Sequence, residues 1–144
     1  MFYNLHKDYP IIGVVGLGAH DAKFNELEEL NEARENIRMG IGSGVNALRD
    51  LDAKIDLIEV DPTTDPQSSA EGAHLASYSF DEYKEEVLKA KPVSIKLAQA
   101  DNASVTEQFQ RGVVFAEYQN RCRNLMEQPA NMLTPTRFGE VLIY

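Results

Sequence analysis

Apolar side chains recur at every third or fourth position over 25–51, through Leu27, Leu30, Ala33, Ile37, Ile41, Val45, Leu48 and Leu51. That period predicts an amphipathic helix, and its acidic start suits the positive end of a helix dipole. A second helical period begins at Ser104, where Ser104 and Glu107 have the spacing of a capping box. Its first half turns Val105, Phe109, Val113 and Ala116 to one side. Its second half turns Val114, Tyr118, Cys122, Leu125 and Met126 to another. A helix whose apolar face changes side is expected to pack against two bodies. Pro129 ends it, because proline has no N–H to give the ladder. Thr134 then caps a further helix with Pro135 at its first position.

Elsewhere the apolar pattern predicts strands. Residues 2–6 form a short one, and 7–10 a turn. The unbroken apolar run over 11–17 reads as a strand buried on both faces. Residues 18–21 leave it as a loop. Residues 55–60 and 93–97 alternate in part, the latter with one wet face. Between them, Asp65 is placed to cap a helix over 66–78 that begins at Pro66 and is rich in small residues. Residues 79–91 are polar and acidic and read as a surface excursion with a weak helical turn over 83–88. The order β-β-α-β-α-β-α predicts an α/β fold.

The chain has 144 residues, one domain's worth, and 43 % of them are hydrophobic. Its formal net charge is −9. That argues against nucleic acid as a partner, since phosphates call for a basic face, and disfavours an anionic membrane. The acidic runs at 26–29, 61–65 and 81–86 read as solvated helix faces and loops. A single cysteine rules out an internal disulfide and a thiolate zinc cluster. Cys122 lies on an apolar helical face and reads as a small buried hydrophobe. No stretch reaches the length of a membrane span, and Asp8 and Pro10 ahead of residues 11–19 argue against a signal peptide. A reducing, cytosol-like compartment is the default.

Little in the chain has the form of a catalytic motif. Gly16-Leu17-Gly18 follows a strand, as a phosphate-cradling turn does, but it lacks the third glycine of a nucleotide fingerprint. A tight strand exit is the plainer reading, with nucleotide binding the alternative. Gly40, Gly42 and Gly44 lie inside the strongest helical pattern and cost it about 2–3 kcal/mol relative to alanine. Either that helix is kinked or weakened, or the glycines admit another backbone closely; ligand contact is a further reading. His6, His20 and His74 form no compact ligand pair, so a metal site from them would have to assemble from distant segments.

Several segments together carry a resemblance. The run from Asn124 to Glu140, with Leu125-Met126-Glu127, Pro129-Ala130-Asn131 and Leu133-Thr134-Pro135 ahead of Phe138, is similar to the interdomain junction of cytosolic leucyl aminopeptidases. Upstream pieces agree in order: Phe2-Tyr3, Leu5-His6, Val15-Gly16-Leu17-Gly18, Glu35-Asn36-Ile37-Arg38, Glu59-Val60-Asp61-Pro62 and Ala70-Glu71-Gly72. The resemblance implies a macrodomain-like mixed β-sheet flanked by helices, incomplete at its amino-terminal edge, because the family carries a further strand and helix ahead of the segment matching Phe2. It implies a partial amino-terminal domain over 1–103, an interdomain helix over 104–128, and a linker with the start of a catalytic domain over 129–144. It departs from the family at Gly40, Gly42 and Gly44, where alanines are usual.

In the full-length family, two divalent metal ions, zinc, manganese or magnesium, serve a cytoplasmic hexamer that removes amino-terminal residues from peptides. The family's lysine-bearing glycine-rich segment and its aspartate- and glutamate-bearing metal motif are not in these residues. Those segments would supply the metal-bridging carboxylates and the activated water. The resemblance therefore assigns no catalytic, cofactor-binding or metal residue here. A non-catalytic fragment is the expectation, with a structural or partner-binding module and a macrodomain-like nucleotide binder as alternatives.

Overall fold

The computed structural model describes residues 1–51, 54–98 and 101–142. The α/β class is as expected. The elements in order are β1 (Phe2–Tyr3), β2 (Ile11–Ile12), β3 (Phe24–Asn25), β4 (Leu30–Asn31), α1 (Glu32–Arg49), β5 (Leu57–Val60), α2 (Pro66–Ala76), a single 3-10 turn (Glu86–Leu88), β6 (Ser94–Leu97), α3 (Ala103–Glu127) and α4 (Pro135–Leu142). The expected continuation of α4 to Tyr144 lies outside the described residues.

Helix α2 is the centre. It packs against α1 on one side, α3 on the other, and the parallel β5–β6 pair beneath. A helix surrounded in this way must be thin. Residues Ser68 to Ala73 are all buried, and none is large and apolar. A Cβ on Gly72 would stand 2.5 Å from the Arg38 carbonyl oxygen of α1, and one on Gly42 would stand 3.3 Å from the Gly72 carbonyl oxygen. On the α3 side, a Cβ on Gly112 would collide with the Gln67 backbone. The core gathers around these crossings: Val45 from α1, Ile58 and Val60 from β5, Ala70 and Ala73 from α2, and Phe109 from α3.

The helix α1 runs unbroken through its three glycines. Close approach, not a kink, is what they serve. Gly40 meets the backbone of Gly16, Gly42 meets α2, and Gly44 meets Val15.

Several boundaries differ from expectation, each for a local reason. Helix α1 starts at Glu32, not near residue 25. The Asn25 side chain accepts from the backbone N–H groups of Leu27 and Glu28, which folds 24–31 into a small hairpin, and Asn31 caps the helix instead. Asparagine offers the backbone such alternatives to helix. Leu27, counted on the apolar stripe, is 96 % exposed as a result. Helix α3 is capped by Asn102, whose Oδ1 accepts from Ser104 and Val105, so the Ser104 and Glu107 box is not the cap. Asp65 does cap α2 as expected, accepting from the Ser68 N–H at 2.8 Å.

The run over 11–17 is not a strand buried on both faces. Only Ile11 and Ile12 pair, antiparallel with Tyr3 and Phe2. Beyond them Val15 and Leu17 lie on α1, while Val14 is 70 % exposed. A groove of about 550 Å³, lined by Tyr9, Ile11, Leu48, Ile55, Leu57 and Glu59 among others, separates this run from β5. β5 pairs with β6 on one edge and has no ladder partner on the other among the described residues.

Candidate functional site

The glycine turn does not become a phosphate cradle. Gly18 takes φ +77°, a left-handed conformation suited to glycine, with Asn36 of α1 packed where a side chain would go. A phosphate turn of the dinucleotide kind delivers the chain into a helix N-terminus. Here the β3–β4 hairpin intervenes, and Gly16 and Gly18 lie beside the second turn of α1. His6 and His20 are exposed in separate loops, and His74 is in the last turn of α2, where its carbonyl accepts from Asn120 of α3. Among the described residues no three His, Cys, Asp or Glu side chains stand together in a metal-holding group.

The polar groups inside the molecule hold helices together. At the start of α2, the Arg34 guanidinium pairs with Asp65 at 2.7 Å. Burial pushes the Asp65 carboxyl up, but the Ser68 N–H and the Arg34 guanidinium outweigh it and hold it below its ordinary value. Arg38 reaches Glu71 at 2.5 Å and Glu35 at 3.2 Å, and Gln67 donates to the same Glu71 carboxylate. Burial alone would lower the Arg38 pKa; the two carboxylates raise it. This chain of charges seals α1 to α2 and leaves no free group for chemistry in that row.

The far end of α2 is closed by donors from both neighbours. Arg49 of α1 donates to the Ala76 carbonyl at 2.8 Å. From α3, Arg123 donates to the Leu75 carbonyl and Asn120 to the His74 carbonyl, each at 3.0 Å. These are the carbonyls that a helix leaves unsatisfied at its C-terminus, where cations are also favoured. The His74 ring has a buried Nε2 with no hydrogen-bond partner among the described residues. Its burial lowers its pKa, against the opposing charge of Glu117 on α3.

With its inner face pinned, α3 turns the other face to solvent. Val114, Phe115, Tyr118 and Met126 are exposed, and so is Cys122, contrary to its reading as a buried hydrophobe. Leu125 is half-buried. The inner face carries the side chains that reach α2, so the Cys122 stripe has nothing to sit under. Arg111 lies over the Phe115 ring and Arg121 over the Tyr118 ring, at 5.7 and 5.4 Å from the ring centroids. Phe138 and Val141 of α4 are also exposed. A cleft of about 660 Å³ runs between the two helices, lined by Arg121, Asn124, Leu125, Arg137, Glu140 and Val141. Aromatic residues, methionine and arginine concentrated on one face are the composition of a protein interface. This face is the chain's candidate functional surface.

Residues 1–87 match the family described as the cytosol aminopeptidase family, N-terminal domain. The chain belongs to this family. Over 141 residues, 98 % of its length, it is 44 % identical to the cytosol aminopeptidase of Bos taurus, and over the same share 43 % identical to that of Homo sapiens. It is 37 % identical to the cytosol aminopeptidase of Dictyostelium discoideum over 96 % of its length. In each case it spans only 26 % of the relative's length, about a quarter. Among the described residues no helix is long and apolar enough to cross a membrane.

Proposed function

We propose that this chain is the non-catalytic amino-terminal part of a cytoplasmic aminopeptidase, and that it holds and packs the catalytic part without touching substrate. The observation that carries the reading is the outer face of α3. Its apolar and aromatic row is exposed, while the inner row of the same helix, Phe109, Gly112 and Ala116, completes the core. In this reading residues 1–103 form the domain body, 104–128 the helix joining it to the next domain, and 129–144 the linker and the beginning of that domain. Peptide substrates, a pair of zinc, manganese or magnesium ions, and assembly into a hexamer belong to the whole protein.

The test is hydrolysis. The purified chain with zinc, manganese or magnesium is expected to leave leucyl amides intact, and a longer polypeptide that contains it is expected to cleave them. Metal-dependent turnover by the chain alone, retained through successive purification steps, would overturn the proposal.

The same α3 face supports a second reading, a partner-binding module without an enzyme. The two readings separate on whether the coding sequence continues past Tyr144 into the family's metal motifs. A nucleotide-binding reading loses its support at the Gly16-Leu17-Gly18 turn, which delivers the chain into a hairpin and not a helix N-terminus.

A further inference from the structure

Residues 79–91 are acidic and irregular, yet they are held in one shape. Asp81 accepts from the Ser79 hydroxyl at 2.7 Å, the Lys84 ammonium at 2.7 Å and the Ala90 N–H at 2.9 Å, closing the segment on itself. Those donors hold the Asp81 carboxyl at a pKa of about 2. The closed segment presents Tyr83 beside the end of α3. The ring is 51 % exposed and packs edge-on against Phe80 at 5.7 Å. Its hydroxyl donates to the Gln128 Oε1 at 2.6 Å. The Gln128 amide nitrogen in turn donates to Glu82. Gln128 is the residue at which α3 stops, immediately before Pro129. The Tyr83 hydroxyl and the Glu82 carboxylate thus fasten the excursion, through the two ends of the Gln128 amide, to the point where the chain leaves α3.

We propose that Tyr83 is a phosphorylation site, and that phosphorylation releases this fastening. Asp81 and Glu82 precede the tyrosine, and Glu85 and Glu86 follow it after Lys84, which is paired with Asp81. This is a strongly acidic setting, complementary to a kinase with a basic substrate groove. Residues 79–85 are neither helix nor strand and the 3-10 turn starts only at Glu86, so opening the hydrogen bonds to Asp81 lets the segment enter a groove that binds extended substrate. The other tyrosines among the described residues each lack one of these features. Tyr118 is 62 % exposed but lies inside α3, Tyr78 is half-buried, and Tyr3 sits in a ladder pair without acidic neighbours. Tyr9 has Asp8 alone before it, with Pro10 following.

In the transfer, the Tyr83 Oη attacks the γ-phosphorus of a nucleoside triphosphate. The new bond is Oη–P. The bond from that phosphorus to the bridging oxygen breaks, the nucleoside diphosphate leaves, and the phenolic proton passes to the kinase's base. The product has no hydroxyl to donate to Gln128. It also places about −1.5 to −2 of charge beside Glu82, so like-charge repulsion adds to the lost hydrogen bond. The excursion then parts from the end of α3, and the exit toward Pro129 is freed. This goes beyond the packing role proposed above and does not depend on catalysis.

The experiment incubates the full chain with ATP, magnesium and a tyrosine kinase selective for acidic residues before its target, and maps the phosphate by mass spectrometry. Phosphate is expected on Tyr83, with most incorporation lost in Tyr83→Phe and slowed in the triple variant Glu82→Gln, Glu85→Gln, Glu86→Gln. Hydrogen exchange of the phosphorylated chain is expected to speed up at 124–128 by roughly two- to tenfold, the worth of one hydrogen bond. Unmodified Tyr83→Phe should show part of that change, since it loses the donor without gaining the charge. Phosphate falling mainly on any of the other five tyrosines, or no incorporation at all, would overturn the site. Full phosphorylation of Tyr83 with unchanged exchange at 124–128 would overturn the release.

Discussion

The Arg123 guanidinium of α3 donates to the Leu75 carbonyl of α2 at 3.0 Å, while its charge lies over the Tyr78 ring at 5.8 Å. One side chain thus closes the C-terminal end of α2 and fixes the C-terminal part of α3 against it. Replacing it with methionine keeps the aliphatic stem but leaves the carbonyl without that donor. Arg123→Met is expected to destabilise the fold by about 1.5–3 kcal/mol, the range for a hydrogen bond to a charged group. Arg123→Lys should recover part of the loss. Urea denaturation followed by far-UV circular dichroism measures both. Equal midpoints for wild type and Arg123→Met would show that Arg49 and Asn120 close the helix end without it.

Gly72 and Gly112 each carry a crossing between helices of the α1–α2–α3 layer, and Gly139 of α4 does not. A Cβ on Gly72 or Gly112 runs into the backbone of a neighbouring helix, whereas one on Gly139 meets nothing within 4 Å. Backbone cannot move aside as a side-chain tip can. Gly72→Ala and Gly112→Ala are each expected to cost about 1–3 kcal/mol through forced separation of helices. Gly139→Ala, in the exposed helix α4, should instead favour that helix by about 0.5–1 kcal/mol. Thermal unfolding of the three variants tests the ranking. A destabilised Gly139→Ala beside a neutral Gly112→Ala would reverse it.

Three groups, His74, Asp65 and Asp81, make stability fall toward acid. The folded pKa of His74 lies below its ordinary 6.5 because burial disfavours the charged ring. In the window beneath 6.5 the unfolded chain therefore binds the proton that the fold refuses, and stability falls as pH drops through it. Asp81 is also depressed, from 3.8 to about 2, chiefly by Lys84 and Ser79. Its contribution is complete above 3.8 and disappears as pH falls through about 2. The denaturation midpoint should decline below pH 6.5 and decline again below pH 4. His74→Gln should flatten the first step and leave the second. An unchanged first step in that variant would assign it to another group.

The elements read correctly from sequence are those decided by local chemistry. Asp65 followed by Pro66 is a helix start that needs nothing from the rest of the chain, and α2 begins there. The change of face along α3 was likewise legible, because periodicity reports which side chains share a side, though not what will cover them. The failures came where two local signals competed. Asn25 and Asn31 are both good caps, and only the hairpin between Phe24 and Asn31 decides for the second. The apolar run over 11–17 could not reveal that most of it lies on α1 without joining a ladder. The clasp of Tyr83 on Gln128 was illegible, since a hydrogen bond across so long a stretch of chain leaves no pattern in either segment. The role of Gly40, Gly42 and Gly44 was half legible. Sequence offered close approach as one of several readings, and the backbones that approach are visible only in the fold.

The α3 face makes a final prediction about the isolated chain. Phe115, Tyr118 and Met126 lie in water, Met126 at 85 % exposure. Burying each large apolar side chain would return roughly 1.5–3 kcal/mol. Nothing among the described residues can do so, because the inner face of α3 is already engaged with α2. The outer edge of β5 adds a second open surface, and unpaired strand edges recruit further chains. The net charge of −9 opposes close approach but satisfies neither the face nor the edge. The isolated chain is therefore expected to self-associate at micromolar concentration, with light scattering rising with salt as the repulsion is screened. The double variant Phe115→Ser, Met126→Ser should lower that association without lowering the unfolding midpoint, since neither side chain belongs to the core. If the wild-type chain instead remains a monodisperse monomer at high salt, this face does not need a cover, and the packing role proposed for it fails with the prediction. Association that persists undiminished in the double variant would place the contact at the β5 edge, leaving the α3 face for a partner of different chemistry.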